Sequence, residues 1–184
     1  ELSSSPGAVL PVNTYFIAVD GSEAAFQPGT VTFVANVSAI PFDALTGLIT
    51  VLNQNSTCAG RSYGSSTIVM APGGQFLLNS TSSYFLLTLP AGAPAPVVNI
   101  TDYDVDDNGT LESLPAGTII RDSFAFIEIN SASEIVYAPL LNPPGIGGNR
   151  FNPDAFVRFP GNSTPNTAPA WYWGQLNSAG PQST

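Results

Sequence analysis

The feature that most constrains this chain is a rhythm. Short runs rich in Val, Ile, Phe, Tyr and Thr follow one another along its length: NTYFIAV, GTVTFVANV, GLITVL, STIVMA, GQFLLN, SYFLLTL, APVVNI, GTIIRD, SFAFIEI, EIVYAP, AFVRFP and AWYWGQL. Gly, Pro, Asn and Ser separate them, and turn signals return about every 8–12 residues, which is how chains of short antiparallel strands are written. In SFAFIEI, Phe124, Phe126 and Glu128 fall on one side of a strand and Ala125, Ile127 and Ile129 on the other, as a two-residue period requires. No stretch sustains the i, i+3, i+4, i+7 spacing of a helix, and FDALTGL has room for little more than a turn.

The predicted fold is therefore all-β: an antiparallel β-sandwich, jelly-roll or Ig-like, with little or no helix. The 17 Pro and 17 Gly are scattered without a repeat, so they punctuate strands and do not form a collagen-like or linker tract. The 184 residues suit one domain, long enough to bury roughly 70% of its unfolded surface without covalent staples. Residues 1–12, ELSSSPGAVLPV, lack strand alternation and are read as an extended N-terminal segment. Such a segment can be donated to a neighbour's open sheet edge. Residues 13–184 are read as the single sandwich domain. The stretch NPPGIGGNRFNP is a loop; its glycines have no following helix or lysine to make a phosphate cradle.

Charge is scarce, at 9% of residues, and its absences exclude chemistry. There is no histidine, hence no Ser-His or Cys-His nucleophile and no imidazole ligand for zinc. There is no lysine, hence no Schiff base; the only cations are Arg61, Arg121, Arg150 and Arg158. With a net charge of −9, binding to nucleic acid through counterion release is excluded in practice. Few ion pairs stand to be lost as carboxylates protonate, so acid is expected to unfold this chain less readily than most. Asp122, Glu128 and Glu134 are the carboxylates a glycosidase would have to draw on, and nothing in their spacing singles them out. The chain reads as non-enzymatic.

Asn-X-Ser/Thr triplets stand at Asn36, Asn55, Asn79, Asn99, Asn108 and Asn162, roughly twice as many as this composition would scatter by chance. Read functionally they mark N-glycosylation, hence a secreted or cell-surface protein whose glycans supply the solubility that charges do not. Read structurally they are turn residues in a turn-rich chain. The polar start at Glu1 is read as a mature terminus. Apolar runs are cut by proline before reaching the roughly 18 residues of a membrane-spanning helix. Cys58 is alone, so it is either a buried thiol or a bridge to another chain.

The stretch DYDVDDNGTLESLP, residues 102–115, holds four of the chain's eight aspartates. Asp104, Asp106, Asn108, the Thr110 carbonyl and Glu112 fall at positions 1, 3, 5, 7 and 9 of a loop that resembles the first two-thirds of an EF-hand-type calcium loop, with Gly109 at position 6. The likeness ends where Pro115 takes the place of the bidentate carboxylate at position 12. The competing reading is an acidic hairpin, with Asn108-Gly109 as its type I′ dipeptide. A third use, glycosylation, competes for Asn108 itself.

Trp171 and Trp173 alternate around Tyr172. Exposed, they form a platform for a sugar ring or a partner chain; buried, they are core. Two functions follow as expectations. One is a structural glycoprotein that forms a homo-oligomer, filament, coat or wall through β-strand contacts and Ca2+. The other is a carbohydrate-binding module or lectin using the tryptophans.

Overall fold

Strands form at most of the runs rich in Val, Ile, Phe, Tyr and Thr. The computed structural model describes residues 2–22, 27–53, 67–71, 80–127, 133–141, 155–158 and 164–174. Within them the order is β1 (Leu2–Ser3), β2 (Thr14–Asp20), β3 (Val31–Asn36), β4 (Leu48–Asn53), β5 (Thr67–Ala71), β6 (Ser82–Thr88), β7 (Ile119–Phe126), β8 (Ala155–Arg158) and β9 (Trp171–Gly174). The only helical piece among the described residues is a 3-10 turn at Ala168–Ala170. The chain is all-β, as its rhythm predicts.

The centre is an open, four-stranded antiparallel sheet in the order β3-β2-β6-β7. Tyr15, Ile17 and Val19 of β2 join Phe85 and Leu87 of β6 and Val31 of β3 in one apolar cluster. Ala18, Phe33, Tyr84, Phe124 and Phe126 meet in a second cluster. Alternation along β2 and β6 sends successive side chains to opposite faces, so the sheet is buried on both. Tyr84 anchors the second face, with ring centroids 4.8 Å from Phe124 and 5.8 Å from Phe126. Burial holds its hydroxyl well above the usual tyrosine range.

What covers each face differs. Ile49 of β4, Phe42, Leu10 and Leu141 lie over the Tyr84 face. Leu89, Tyr103, Leu111, Leu114 and Tyr137 lie over the other. Most of that second cover comes from residues 89–118, a long insertion between two strands that pair directly, Thr88 opposite Ile119. The inward side of the insertion is apolar, which keeps it on the sheet and gives its outer side a fixed support.

Four expectations differ from the structure. APVVNI, residues 95–100, forms no strand and ends in a turn, because Ile100 and Thr101 both donate backbone hydrogen bonds back to Val97. EIVYAP, residues 134–139, is irregular; it meets the sheet where the Tyr137 amide donates to Ser83 Oγ and the Ala125 amide to the Pro139 carbonyl, next to the parallel bridge of Ala125 to Leu140. In the second sheet, of order β1-β4-β5, the β4–β5 pair is parallel. Parallel neighbours need a crossover of a dozen or so residues, and residues 54–66 provide that length. GTIIRD and SFAFIEI, read as two runs, contribute to the single strand β7, which spans Ile119–Phe126. GQFLLN, Cys58 and residues 23–26 lie outside the described residues.

The N-terminal segment lies on its own chain. Leu2 and Ser3 pair with Ile49 and Leu48, and Val9 bridges Pro41. Leu10 is 6% exposed, within the Tyr84-side cluster; burial of this kind contributes roughly 1.5–3 kcal/mol per leucine.

Candidate cation site in the acidic loop

The acidic loop sits at the outer edge of the insertion, and its foundations are elsewhere in the chain. Gly29, in the turn before β3, accepts a hydrogen bond from the Tyr103 amide at 3.0 Å. Thr30 bridges Asp102, and the Val31 amide donates to the Thr101 carbonyl at 2.8 Å. Gly29 has φ +87°, and a Cβ placed on it would stand 2.6 Å from both Asp102 Oδ1 and Asp104 Cβ. Glycine is required there twice, for the left-handed backbone and for the close approach.

Asp104 is fully buried. Its Oδ1 accepts from the Asn108 amide at 2.9 Å; its Oδ2 accepts from the Gly109 amide at 2.8 Å and from the Tyr137 hydroxyl at 2.7 Å. A carboxylate cannot be buried without such donors. Here positions 5 and 6 of the loop fold back onto position 1, as a compact cation loop requires. Glu112 closes the loop by accepting from the Val105 amide at 2.6 Å.

Carboxylate oxygens of Asp104, Asp106 and Glu112 lie within 4.8 Å of one another. Oxygens on opposite sides of a calcium ion sit about 5 Å apart, given Ca–O distances of about 2.3–2.6 Å, so one ion can be shared by all three. Two carboxylate oxygens offer about four acceptor positions, and three donors leave one on Asp104. Asp106, Asn108, Thr110 and Glu112 are exposed, so the cluster opens to solvent. The residues fit a hard cation with several water ligands, and Pro115 leaves the twelfth position without one.

The field is acidic on its own account. Asp102 is held above the usual carboxylate range, chiefly by burial and further by the charges of Asp107, Asp104 and Glu112, against the opposing hydrogen bond from the Asp104 amide. Tyr137 is pushed up by burial and by its bond to Asp104, so it stays a donor.

The hairpin reading is corrected. A type I′ turn needs positive φ at both central residues, yet positive φ falls on Asp107 (54°) and Gly109 (86°) and not on Asn108. The flanks are not a pair of strands either, since residues 95–100 form no strand. Tyr137, Gly29 and Asp102 are the site residues that sequence reasoning missed. Tyr137 lies 33 residues from Asp104 in sequence and carries no local signal.

The other candidate residues are dispersed. Asn36, Asn99 and Asn108 are exposed; Asn55, Asn79 and Asn162 lie outside the described residues. Asn36 Oδ1 accepts from the Ser38 amide of its own triplet at 2.9 Å. The Trp171 ring lies 4.5 Å from Phe124, with Nε1 buried and without a hydrogen-bond partner. Trp173 pairs with Phe156 in the β8–β9 ladder. Asp122 Oδ1 is taken by the Ser123 and Asn166 amides, both at 3.0 Å; Glu128 lies outside the described residues. Beside the acidic loop is an open hollow of about 380 Å³ lined by Pro94, Val97, Ile100, Asp102 and Tyr103. No helix among the described residues is long and apolar enough to cross a membrane.

Comparison with known protein families, curated proteins and solved structures finds no match to this chain.

Proposed function

We propose that this chain is a non-enzymatic, secreted, N-glycosylated structural protein, the subunit of an extracellular filament, coat or wall, assembled through β-strand contacts and strengthened by Ca2+ at the acidic loop. One observation carries the reading: residues 2–10 join the fold as a strip laid along one edge, hydrogen-bonded to residues 40–49, and not as a strand woven into the central sheet. A strip of that kind suits contacts between subunits. The exposure of Asn36, Asn99 and Asn108 supports glycosylation, and the convergence of Asp104, Asp106 and Glu112 supports a cation. In this reading the β1-β4-β5 sheet and the central sheet face each other as a sandwich, which the shared cluster of Ile49, Phe33 and Phe124 supports. The cations would be held by Asp104, Asp106 and Glu112, with Asn108 and the Thr110 carbonyl as further ligands.

The test is negative-stain electron microscopy of the natively glycosylated protein, in calcium and in chelator. Filaments or sheets are expected in calcium, shortened or lost in chelator. Dispersed particles in both would overturn the reading and turn attention to sugar binding, to be probed on a glycan array with Trp171→Ala and Trp173→Ala.

A further inference from the structure

The groove that holds residues 2–10 has one continuous wall. The Ser4 amide donates to Gly47 O at 3.0 Å, Gly7 to Asp43 O at 3.4 Å, and Leu10 to Ile40 O at 3.1 Å; Phe42 donates back to Ala8 O at 2.7 Å. With Leu2 opposite Ile49 and Ser3 opposite Leu48, these bonds all run to residues 40–49. Leu10 is the plug, buried beside Phe42 and Ile49, while Leu2 and Ala8 lie against the same cluster.

Residues 11–13 join the strip to the body. Pro11, Val12 and Asn13 lead into β2; Val12 is 70% exposed and Asn13 has φ +56°. Beyond them the Asn13 carbonyl is held by the Leu89 amide at 2.9 Å and the Thr14 carbonyl by the Val37 amide at 3.0 Å. Rotation at residues 11–13 breaks the bond from the Ala39 amide to the Pro11 carbonyl, 3.3 Å long, and frees the strip without disturbing the central sheet. It bares an apolar slot, and the chemistry that fits that slot best is already known: the same residues from another copy.

We propose that residues 2–10 exchange between copies of this chain, each strip filling the 40–49 groove of the next subunit in the register it has in its own. This rests on the structural-subunit reading and deepens it by naming donor, acceptor and hinge. The contacts are identical within and between chains, so exchange loses only what the hinge and association cost, the low-cost route of a swapped element. Extension at Asn13 also releases a left-handed backbone that non-glycine residues adopt at some cost. A head-to-tail exchange propagates into a filament; a reciprocal one closes as a dimer.

Val9 and Pro41 provide the test. Both are exposed, and the Leu10–Ile40 and Phe42–Ala8 bonds flank them, which makes them a non-hydrogen-bonded pair with Cα atoms about 4.5 Å apart, within disulfide range. In a Cys58→Ser background, Val9→Cys and Pro41→Cys proteins are made separately, checked by circular dichroism, mixed under assembly conditions and oxidised. The expected result is a covalent heterodimer joined through residues 9 and 41, identified by peptide mass mapping. The double variant oxidised under the same conditions is expected to give a ladder on a non-reducing gel. Oxidised at high dilution, it should lock as a monomer that does not assemble until reduced. No heterodimer, with only intrachain disulfide in the double variant, overturns the exchange. An oxidised monomer that assembles as well as the reduced protein does so too. The unmodified protein is imaged in parallel: filaments with only intrachain disulfides would leave the subunit reading standing and remove the exchange. A dimer band without a ladder supports exchange and removes the filament.

Discussion

At the scale of single residues, the acidic loop depends on groups that carry no charge. Tyr137→Phe removes the hydroxyl at Asp104 and leaves the ring in place, at an expected cost of about 1.5–3 kcal/mol for a buried bond to a charged group. The urea midpoint should fall, and amide exchange at Asn108 and Gly109, which share that carboxylate, should accelerate; unchanged exchange would refute the coupling. Gly29→Ala forces a side chain into φ +87° and against Asp102 and Asp104, with roughly 1–3 kcal/mol lost from the backbone alone. Asp102 gives the pH dependence a sign. Its folded-state proton affinity is raised, so the stability linked to its protonation is full below the ordinary carboxylate range and lost as pH rises through its folded value. In chelator, Asp102→Asn should be more stable than the wild type at neutral pH, and the gap should close as pH falls. Asn still offers an oxygen to the Asp104 amide, so the comparison isolates charge. Asp43 acts in the opposite direction: its carboxylate caps the turn through the Thr46 and Leu45 amides and is held below the usual range. Its contribution is present above the ordinary value and lost in stronger acid.

At the scale of elements, the insertion 89–118 is where sequence and structure part. The runs at 14–20, 31–36, 48–53 and 82–88 were legible as strands because both of their faces are apolar or β-branched and turn residues bound them. Residues 95–100 have the same composition but find partners in Val97 and in the Val31 end of β3, and they turn. The spacing that brings Asp104, Asp106 and Glu112 together was legible because it is local. Gly29, Thr30 and Tyr137 were not, since only tertiary folding brings them to the loop; the parallel β4–β5 pair escaped for the same reason. Terbium luminescence tests the loop as a unit. Binding on the order of 10⁻⁴–10⁻³ M is expected for an open extracellular-type site. Asp106→Asn should weaken it, and Tyr137→Phe should do so by roughly 10–100-fold through the carboxylate it orients. Equal binding by all three proteins would assign the signal to scattered surface carboxylates.

At the scale of the whole molecule, a chain with 13 carboxylates and four arginines has little electrostatic work to lose in acid. Far-UV circular dichroism at about pH 3 should retain the β-sheet spectrum, because Asp102 and Asp43 act in opposite directions and most of the core is apolar. A cooperative loss of signal between about pH 4 and about pH 3 would refute this expectation.

The insertion between β6 and β7 also sets a timetable. β2 and β3 are close in sequence and can zip as they emerge during synthesis, but β2 must wait for β6 to cover its second edge, Tyr15 against Leu87. β7 arrives only after residues 89–118 have been made. Pairings this distant in sequence fold slowly, in milliseconds to seconds. Throughout that interval an apolar edge stands open on a nascent chain, when neighbouring chains on the same message are nearest. The order of strands along this polypeptide thus makes its synthesis, and not its finished surface, the moment of greatest exposure to misassembly.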